Sequence, residues 1–213
     1  MKNKKITTLT QYALFIAIIF LLGLTPLGFI YLPIAAITTV HMPVIIGGYL
    51  FGVKGGALLG AMFGMTSLIR CFMTPDATAA ILLGTNTGGF QLYNLFLILM
   101  IIFVPRILTG VTSSLLYQAL SKTKARESIA MGAAAFVGSM TNTIFYLGGL
   151  YVFAFDQAAA GFGLTNPTAM SFLQVILGVV ALNGTLEAVA AVLICTAVGK
   201  ALKTFAARSA TEF

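Results

Sequence analysis

Residues 91–120 read QLYNLFLILMIIFVPRILTGVTSSLLYQAL and carry one charged side chain, that of Arg106. The run exceeds the roughly 20 predominantly apolar residues that a helix needs to cross the hydrocarbon core of a bilayer, so we interpret it as a membrane span. Comparable apolar runs lie on both sides of it. The predicted spans are residues 9–27, 35–53, 55–74, 91–120, 129–153 and 169–200. The sequence therefore predicts an all-α integral membrane protein, a bundle of six transmembrane helices that forms a single membrane domain over residues 1–213.

The composition excludes a water-soluble globular protein and indicates no cofactor. Hydrophobic residues make up 59% of the chain and charged residues only 8%, whereas soluble domains carry roughly 25% charged residues. The net charge of +7 does not indicate nucleic-acid binding, because the basic residues form short clusters between apolar runs. Cys71 and Cys195 have neither a CxxC pattern nor a histidine neighbour, so the sequence predicts no metal site and no disulfide.

The distribution of Lys and Arg predicts the orientation, because cytoplasmic loops are enriched in these residues. Counted from a cytoplasmic amino terminus, the interior segments contain the basic residues Lys2, Lys4, Lys5, Lys54, Lys122, Lys124, Arg126, Lys200, Lys203 and Arg208. The exterior loops contain Asp76 and Asp156, with only Arg70 close to an outer edge. Both termini are therefore expected in the cytoplasm.

The predicted outer loops are rich in small residues. Residues 84–89 read GTNTGG, and residues 158–167 consist largely of Ala, Gly, Thr and Asn. Glycine and short polar side chains permit varied backbone conformations, so these segments can cover the mouth of a cavity as lids. The alternative is that they are mobile connectors, and the sequence leaves both interpretations open.

Arg106 lies deep in the fourth predicted span and directly follows Pro105. A charge at the bilayer centre costs at least ~2.5 kcal/mol on insertion scales, so the arginine needs a reason to be there. Proline removes one backbone hydrogen bond, which can leave a carbonyl free beside the guanidinium. Arg106 either pairs with Glu187 as a buried ion pair that fixes helix packing, or faces a cavity and binds an anionic ligand through its planar fork. The two hypotheses are compatible if Glu187 orients the arginine.

Polar residues in the fifth and sixth spans are the other candidates for a binding site. Asn142 and Tyr146 share a helix face because they are spaced i, i+4, and Ser139 lies one turn earlier. Glu187 lies close to Asn183 in the sixth span. The alternative role for such residues is interhelical hydrogen bonding, worth about 0.6 kcal/mol per bond, and it is at least as common. The candidate substrate-binding residues are Arg106, Asn142, Tyr146, Ser139, Asn183 and Glu187.

His41, the only histidine, follows two threonines in the second span, where a lone histidine is more often a packing donor than a ligand or proton relay. Two small-residue patterns predict close helix contacts. Gly56, Gly60 and Gly64 recur every four residues in the third span, and Ala13 and Ala17 do the same in the first. The chain lacks the GxxxxGK[ST], HExxH and GxSxG patterns, so it is expected to be neither an ATPase nor another enzyme.

The chain resembles a known transporter family through four stretches, in addition to its six spans. These are residues 13–17 (ALFIA), 38–47 (TTVHMPVIIG), 52–56 (GVKGG) and 103–106 (FVPR). Together they resemble the substrate-binding S components of energy-coupling factor (ECF) vitamin transporters, small six-helix proteins of the prokaryotic plasma membrane with cytoplasmic termini. The resemblance covers nearly the whole chain. Residues 138–143 (GSMTNT), with Pro105 and Arg106, look most like the pantothenate-type members.

The resemblance implies a high-affinity vitamin-binding subunit in the lipid bilayer, with no nucleic-acid partner. Arg106 and Asn142 would lie in a pocket that opens outward. The implied partners are a transmembrane coupling protein and two cytosolic ATPase subunits, which topple the S component to release its ligand inside. Ala13 and Ala17 would form the docking patch. Pantothenate itself, with one carboxylate, one amide and two hydroxyls, suits one arginine and several amide and hydroxyl side chains.

Other functions remain open at this point. An S component for riboflavin or another vitamin precursor is the nearest alternative, although riboflavin has no carboxylate and favours a larger aromatic pocket, and the chain has no Trp. A stand-alone secondary transporter would need coupling-ion sites and often an internal repeat, which the sequence does not reveal. An intramembrane enzyme would need a nucleophile beside His41. A purely structural subunit would not need Arg106.

Overall fold

A computed structural model describes residues 2–31, 36–74, 77–85, 89–123, 126–164 and 166–211. The helices are α1 (Lys2–Leu24), α2 (His41–Met73), α3 (Ala77–Leu83), α4 (Leu92–Leu97), α5 (Val104–Ser121), α6 (Glu127–Phe153), α7 (Phe155–Gly161), α8 (Ala169–Val179) and α9 (Thr185–Thr211). Two π-helical segments continue helices without a break, π1 (Ile98–Phe103) between α4 and α5 and π2 (Val180–Gly184) between α8 and α9. Five helical segments of the described chain are long and apolar enough to cross a membrane.

The second and third predicted spans form the single element α2, which bends sharply at Gly52. Gly52 has φ +72° and ψ −167°, a backbone conformation that glycine adopts without steric cost. The chain folds back at this point. The evidence is that a Cβ added to Gly47 would collide with the side chain of Leu59, twelve residues further on. In a straight helix these residues would lie about 18 Å apart. The break between the predicted spans 35–53 and 55–74 is therefore confined to Gly52, and the residues after it are helical.

A β-hairpin replaces the predicted beginning of the second span. The predicted span starts at residue 35, whereas the structure has β1 (Phe29–Tyr31) paired antiparallel with β2 (Ala36–Thr38), and helix α2 starts only at His41. Both strands contain β-branched and aromatic residues, which favour an extended backbone. A helix prediction from hydrophobicity alone is wrong here because a short apolar run suits a strand equally well.

Two short helices occupy parts of the predicted outer loops. Helix α3 precedes residues 84–89 and α7 overlaps the start of residues 158–167, and both helices are alanine-rich. Alanine is the strongest helix former, which accounts for helical turns in segments that are otherwise rich in loop residues. Residues 86–88 of the predicted GTNTGG lid and residue 165 of the other lie outside the described residues.

The predicted glycine face of the third span packs on α5. Gly56 and Gly110 approach so closely that a Cβ on either would collide with the backbone carbonyl of the other. A Cβ on Gly60 would collide with the Arg106 carbonyl, and one on Gly64 would come within 2.8 Å of the Phe103 ring. The second half of α2 therefore runs antiparallel to α5 in backbone contact.

The apolar core forms two clusters. One lies among α1, α2, α5, α6 and α9, and the other among α3, α4, π1, α6, α7 and α8. At the far end of the first cluster, Lys203 Nζ on α9 forms an ion pair with Glu127 Oε1 on α6 at 2.8 Å and also contacts the Tyr117 hydroxyl on α5. These contacts fasten the ends of three helices together.

Candidate functional site

A cavity of about 300 Å³ lies where the two core clusters meet. Residues of both clusters line it, among them Phe63 from the first and Leu82 and Ile102 from the second. Its polar lining residues are Thr38, Ser67, Arg70, Thr74, Thr78, Arg106, Asn142, Thr143, Tyr146, Asn183 and Glu187. The volume is at the lower end of the roughly 300–1,000 Å³ of small-molecule sites, so the cavity suits a small ligand with several polar groups.

Arg106 is held at the cavity by π1 and two aromatic rings. Its Nη1 donates to the Ile101 carbonyl at 3.0 Å. In a regular helix the residue four positions later would donate its backbone N–H to this carbonyl, but that residue is Pro105, which has no N–H. The guanidinium carbon lies 4.7 Å from the centre of the Tyr146 ring and 5.4 Å from that of Phe63. Both distances are within the range of cation–π attraction. The predicted proline-freed carbonyl beside the guanidinium is confirmed, and the rings stabilise the charge in an apolar setting.

Glu187 makes a different contact from the one considered in the sequence analysis. Its Oε1 accepts a hydrogen bond of 2.8 Å from the backbone N–H of Thr38, at the end of β2. Arg106 and Glu187 line the same cavity, but among the described residues they do not form an ion pair within 4.0 Å. The carboxylate of Glu187 therefore fastens the hairpin to α9.

The structure brings five of the six predicted substrate-binding residues to one cavity. Asn142 lines it, although its Oδ1 is buried without a hydrogen-bond partner among the described residues. Tyr146 lines it and donates from its hydroxyl to Thr78 Oγ1 at 3.2 Å. Asn183 lines it from π2. Ser139, by contrast, is 1% exposed and lies in the helix interface outside the cavity lining.

Both π-helical segments border the cavity, and the sequence analysis did not predict them. Ile102 of π1 and Asn183 and Gly184 of π2 are lining residues. Arg106 follows π1 by three residues, and Glu187 follows π2 by three residues. A π turn inserts a residue into a helix and so re-aims the side chains after it, and such turns occur frequently at functional sites.

The contribution of α2 to the site was not predicted from the sequence. The second half of this helix supplies the lining residues Phe63, Ser67, Arg70 and Cys71, and Thr74 directly follows it. These positions follow each other at spacings of four, three, one and three, which places them on one helix face. A polar stripe at the outer end of the third span was therefore present in the sequence as a signal.

The charged side chains of the lining favour an anion. Arg70 and Arg106 carry positive charges and Glu187 a negative one, so the formal sum is 2 − 1 = +1. Arg70 also reaches α1, because its Nη1 donates to the Gly23 carbonyl at 3.5 Å. Arg70 is thus engaged with α1, and Glu187 is bonded to the hairpin.

The remaining candidate residues of the sequence analysis lie outside the cavity lining. Ala13 and Ala17 are exposed on α1, whereas Phe15 and Ile19 of the same helix are buried. His41 is fully buried, and neither ring nitrogen has a hydrogen-bond partner in the described structure. Cys195 is buried, with its Sγ 3.7 Å from the Met42 carbonyl.

Comparison with known proteins connects this architecture to transport. Residues 7–199 match the family model described as ECF transporter, substrate-specific component. The Pantothenic acid transporter PanT of Lactococcus lactis subsp. cremoris is 31% identical over 217 aligned residues, which cover 95% of this chain and 96% of that protein. The Pantothenate transporter PanT of Leuconostoc mesenteroides subsp. mesenteroides is 26% identical over 219 aligned residues, with 98% of each chain covered.

Proposed function

The chain belongs to the family of ECF transporter substrate-specific components, and we propose that it is the subunit that captures pantothenate in the plasma membrane. Membership makes it a transporter component and not an enzyme. The observation that carries the choice of ligand is Arg106, whose guanidinium is held between two aromatic rings at a cavity of about 300 Å³. Two relatives with nearly full coverage are named as transporters of this vitamin.

The chemistry of the lining matches the groups of pantothenate one by one. Arg106 binds the carboxylate, because a planar guanidinium forms charge-assisted hydrogen bonds with it. Asn142 and Asn183 provide amide groups for the central amide and the hydroxyls of the ligand. Tyr146 and Glu187 act indirectly, Tyr146 by stacking on the arginine and Glu187 by holding the hairpin at the cavity.

We further propose six membrane crossings with cytoplasmic termini. Three contacts support the number of crossings, and the distribution of Lys and Arg supports the cytoplasmic termini. A Cβ on Gly138 would contact Ile45 at 3.2 Å, and the Tyr49 hydroxyl donates to the Met131 carbonyl, so the first half of α2 runs antiparallel to α6. The second half runs antiparallel to α5, as described above. Helices α5 and α6 are themselves antiparallel, since Tyr117 bonds Glu127, so α2 reverses direction at Gly52 and crosses twice.

The family implies a coupling protein and ATPases as partners, and we place the docking surface on α1. This helix is the least buried of the five candidate spans. Ala13 and Ala17 lie on its exposed side, opposite Phe15, which packs on Phe51 of α2. Methyl side chains leave the backbone accessible, so a partner helix can approach closely.

Identification of the bound ligand tests the proposal. The chain is purified alone in detergent from cells grown with pantothenate and riboflavin, and the molecules released on denaturation are identified by mass spectrometry. We expect pantothenate, in about equimolar amount. Recovery of riboflavin or another vitamin without a carboxylate would overturn the assignment of Arg106 and of the ligand together.

A further inference from the structure

Four buried polar atoms on helices α2 and α6 have no hydrogen-bond partner in the described part of the chain. They are Nδ1 and Nε2 of His41, Oγ of Ser139 and Oδ1 of Asn142. These three residues are 0%, 1% and 8% exposed, respectively. Buried polar groups are nearly always hydrogen-bonded, because an unpaired one loses its hydration without compensation. Unpaired groups on two adjacent helices therefore call for a common explanation.

The helix register brings these residues to one level. Two contacts align the first half of α2 with α6, Tyr49 with Met131 and Ile45 with Gly138. The helices are antiparallel, so residue numbers fall along α2 as they rise along α6. Counted one for one, the Tyr49–Met131 contact places His41 level with Ser139, and the Ile45–Gly138 contact places it level with Asn142. His41 lies one turn before Ile45, and Asn142 lies one turn after Gly138, so both lie one turn nearer the cavity.

The hydrogen-bonding capacities of the three side chains are complementary. A neutral imidazole has one N–H donor and one acceptor nitrogen. Asn142 Oδ1 is an acceptor only, and the Ser139 hydroxyl can donate. One ring nitrogen can therefore donate to Asn142 while the other accepts from Ser139, which leaves none of the four atoms unpaired. Formation of these bonds requires rotation of the side chains, because none of the four atoms has a partner in the described structure.

We propose that His41 is a positioning residue that fixes the amide of Asn142 through this hydrogen-bonded triad with Ser139, an inference that rests on the proposed function. With Oδ1 held by His41, Asn142 presents its Nδ2 donor to the cavity. The ligand must then offer an acceptor oxygen at this position. The amide carbonyl of pantothenate is such an acceptor, so the triad selects for an amide oriented with its oxygen toward Asn142.

A double-mutant cycle tests the triad. Full-length His41→Phe, Asn142→Ala and the double variant are titrated with radiolabelled pantothenate, and their thermal unfolding is measured without ligand. A hydrogen bond of ordinary strength corresponds to up to about tenfold in affinity, so each single change is expected to weaken binding up to about tenfold. The double variant is expected to bind no more weakly than the weaker single variant. If the fold-losses of affinity of the two single variants multiply in the double variant, the proposal is overturned.

Two further variants separate positioning from packing. His41→Gln keeps a donor and an acceptor in the side chain and is expected to retain most of the affinity that His41→Phe loses. Thr78→Val changes a cavity residue on α3, away from the triad. When it is combined with His41→Phe, the two fold-losses of pantothenate affinity are expected to multiply. Equal weakening by His41→Gln and His41→Phe would show that only the shape of the ring matters.

Failure of the proposed function would be recognised separately. If the wild-type chain binds no pantothenate, that function is wrong, and the unfolding measurements alone decide the triad. The midpoint shifts of His41→Phe and Asn142→Ala must then fail to add in the double variant, because contacting residues couple. Additive shifts would overturn the triad.

Discussion

Arg106 is an ionised side chain in an otherwise apolar span, and its neighbours explain how the fold tolerates it. The Ile101 carbonyl accepts one N–H, and the rings of Phe63 and Tyr146 flank the guanidinium. Its Nε is buried without a partner among the described residues, so the protein does not use its full donor capacity. A carboxylate ligand would engage the remaining donors.

Replacement of Arg106 is therefore expected to abolish tight binding. Arg106→Ala should cost about 2–5 kcal/mol of pantothenate affinity, the range for truncating one partner of a buried charge pair. Arg106→Lys keeps the charge but loses the planar fork, so its pantothenate affinity should lie between those of the wild type and Arg106→Ala. Isothermal titration of the purified variants measures both. A folded Arg106→Ala protein with wild-type affinity would contradict the assignment.

At the scale of elements, the crossing of α2 and α5 positions the site. The backbone contact of Gly56 with Gly110 sets the distance between these helices, and Gly60 sits against the start of α5 at Arg106. Arg106 lies on α5, and Phe63 and Arg70 lie on α2. The crossing of these two helices therefore determines the distance of the guanidinium from Phe63 and Arg70.

A side chain at this crossing is expected to destabilise the fold. Gly110→Val would place a Cβ against the Gly56 carbonyl, and overpacking of this kind costs about 1–3 kcal/mol or more. The matched control is Gly148→Val on α6, where an added Cβ meets nothing within 4 Å. Thermal unfolding in detergent should give a lower midpoint for Gly110→Val than for Gly148→Val. Equal midpoints would mean that the helices can separate without cost.

At the scale of the whole molecule, the proposed ligand site and the proposed docking surface occupy different parts. None of the described residues of α1 lines the cavity, and α1 packs on α2. The hydrogen bond from Arg70 to Gly23 is a contact through which the two regions meet. A change on the exposed face of α1 can therefore affect coupling without touching the site.

Ala17→Trp is expected to abolish uptake while leaving binding intact, because the indole would occupy the space of a closely packed partner helix. Uptake is measured in cells that co-express the coupling protein and ATPases, and binding on the purified chain. Leu193→Trp serves as the control, since Leu193 is 66% exposed on α9 and should tolerate the ring in both assays. Loss of binding by Ala17→Trp would place α1 in the pocket or the core, and normal uptake would move the docking face elsewhere.

The sequence by itself determined the helical membrane character, the stretches of most helices and most of the proposed site. These properties follow from local causes. Apolar runs of sufficient length must be helical in a bilayer, because lipid offers no partner to the backbone. An arginine inside an apolar span needs polar partners, and so do amide side chains on one face of a span. This holds for any arrangement of the helices. For that reason Arg106, Asn142, Tyr146, Asn183 and Glu187 could be selected before their neighbours were known.

Only the tertiary structure decided which residues meet. The hairpin at β1 and β2, the π segments and the contact of Glu187 with Thr38 were not predictable from local pattern. Glu187 and Thr38 lie 149 residues apart in the chain, and their hydrogen bond exists because the start of α9 meets the end of β2. Arg106 and Glu187 differ in charge, and yet charge alone did not pair them. Partner choice depends on the distances that backbone packing leaves between helices, and those distances are a property of the whole bundle.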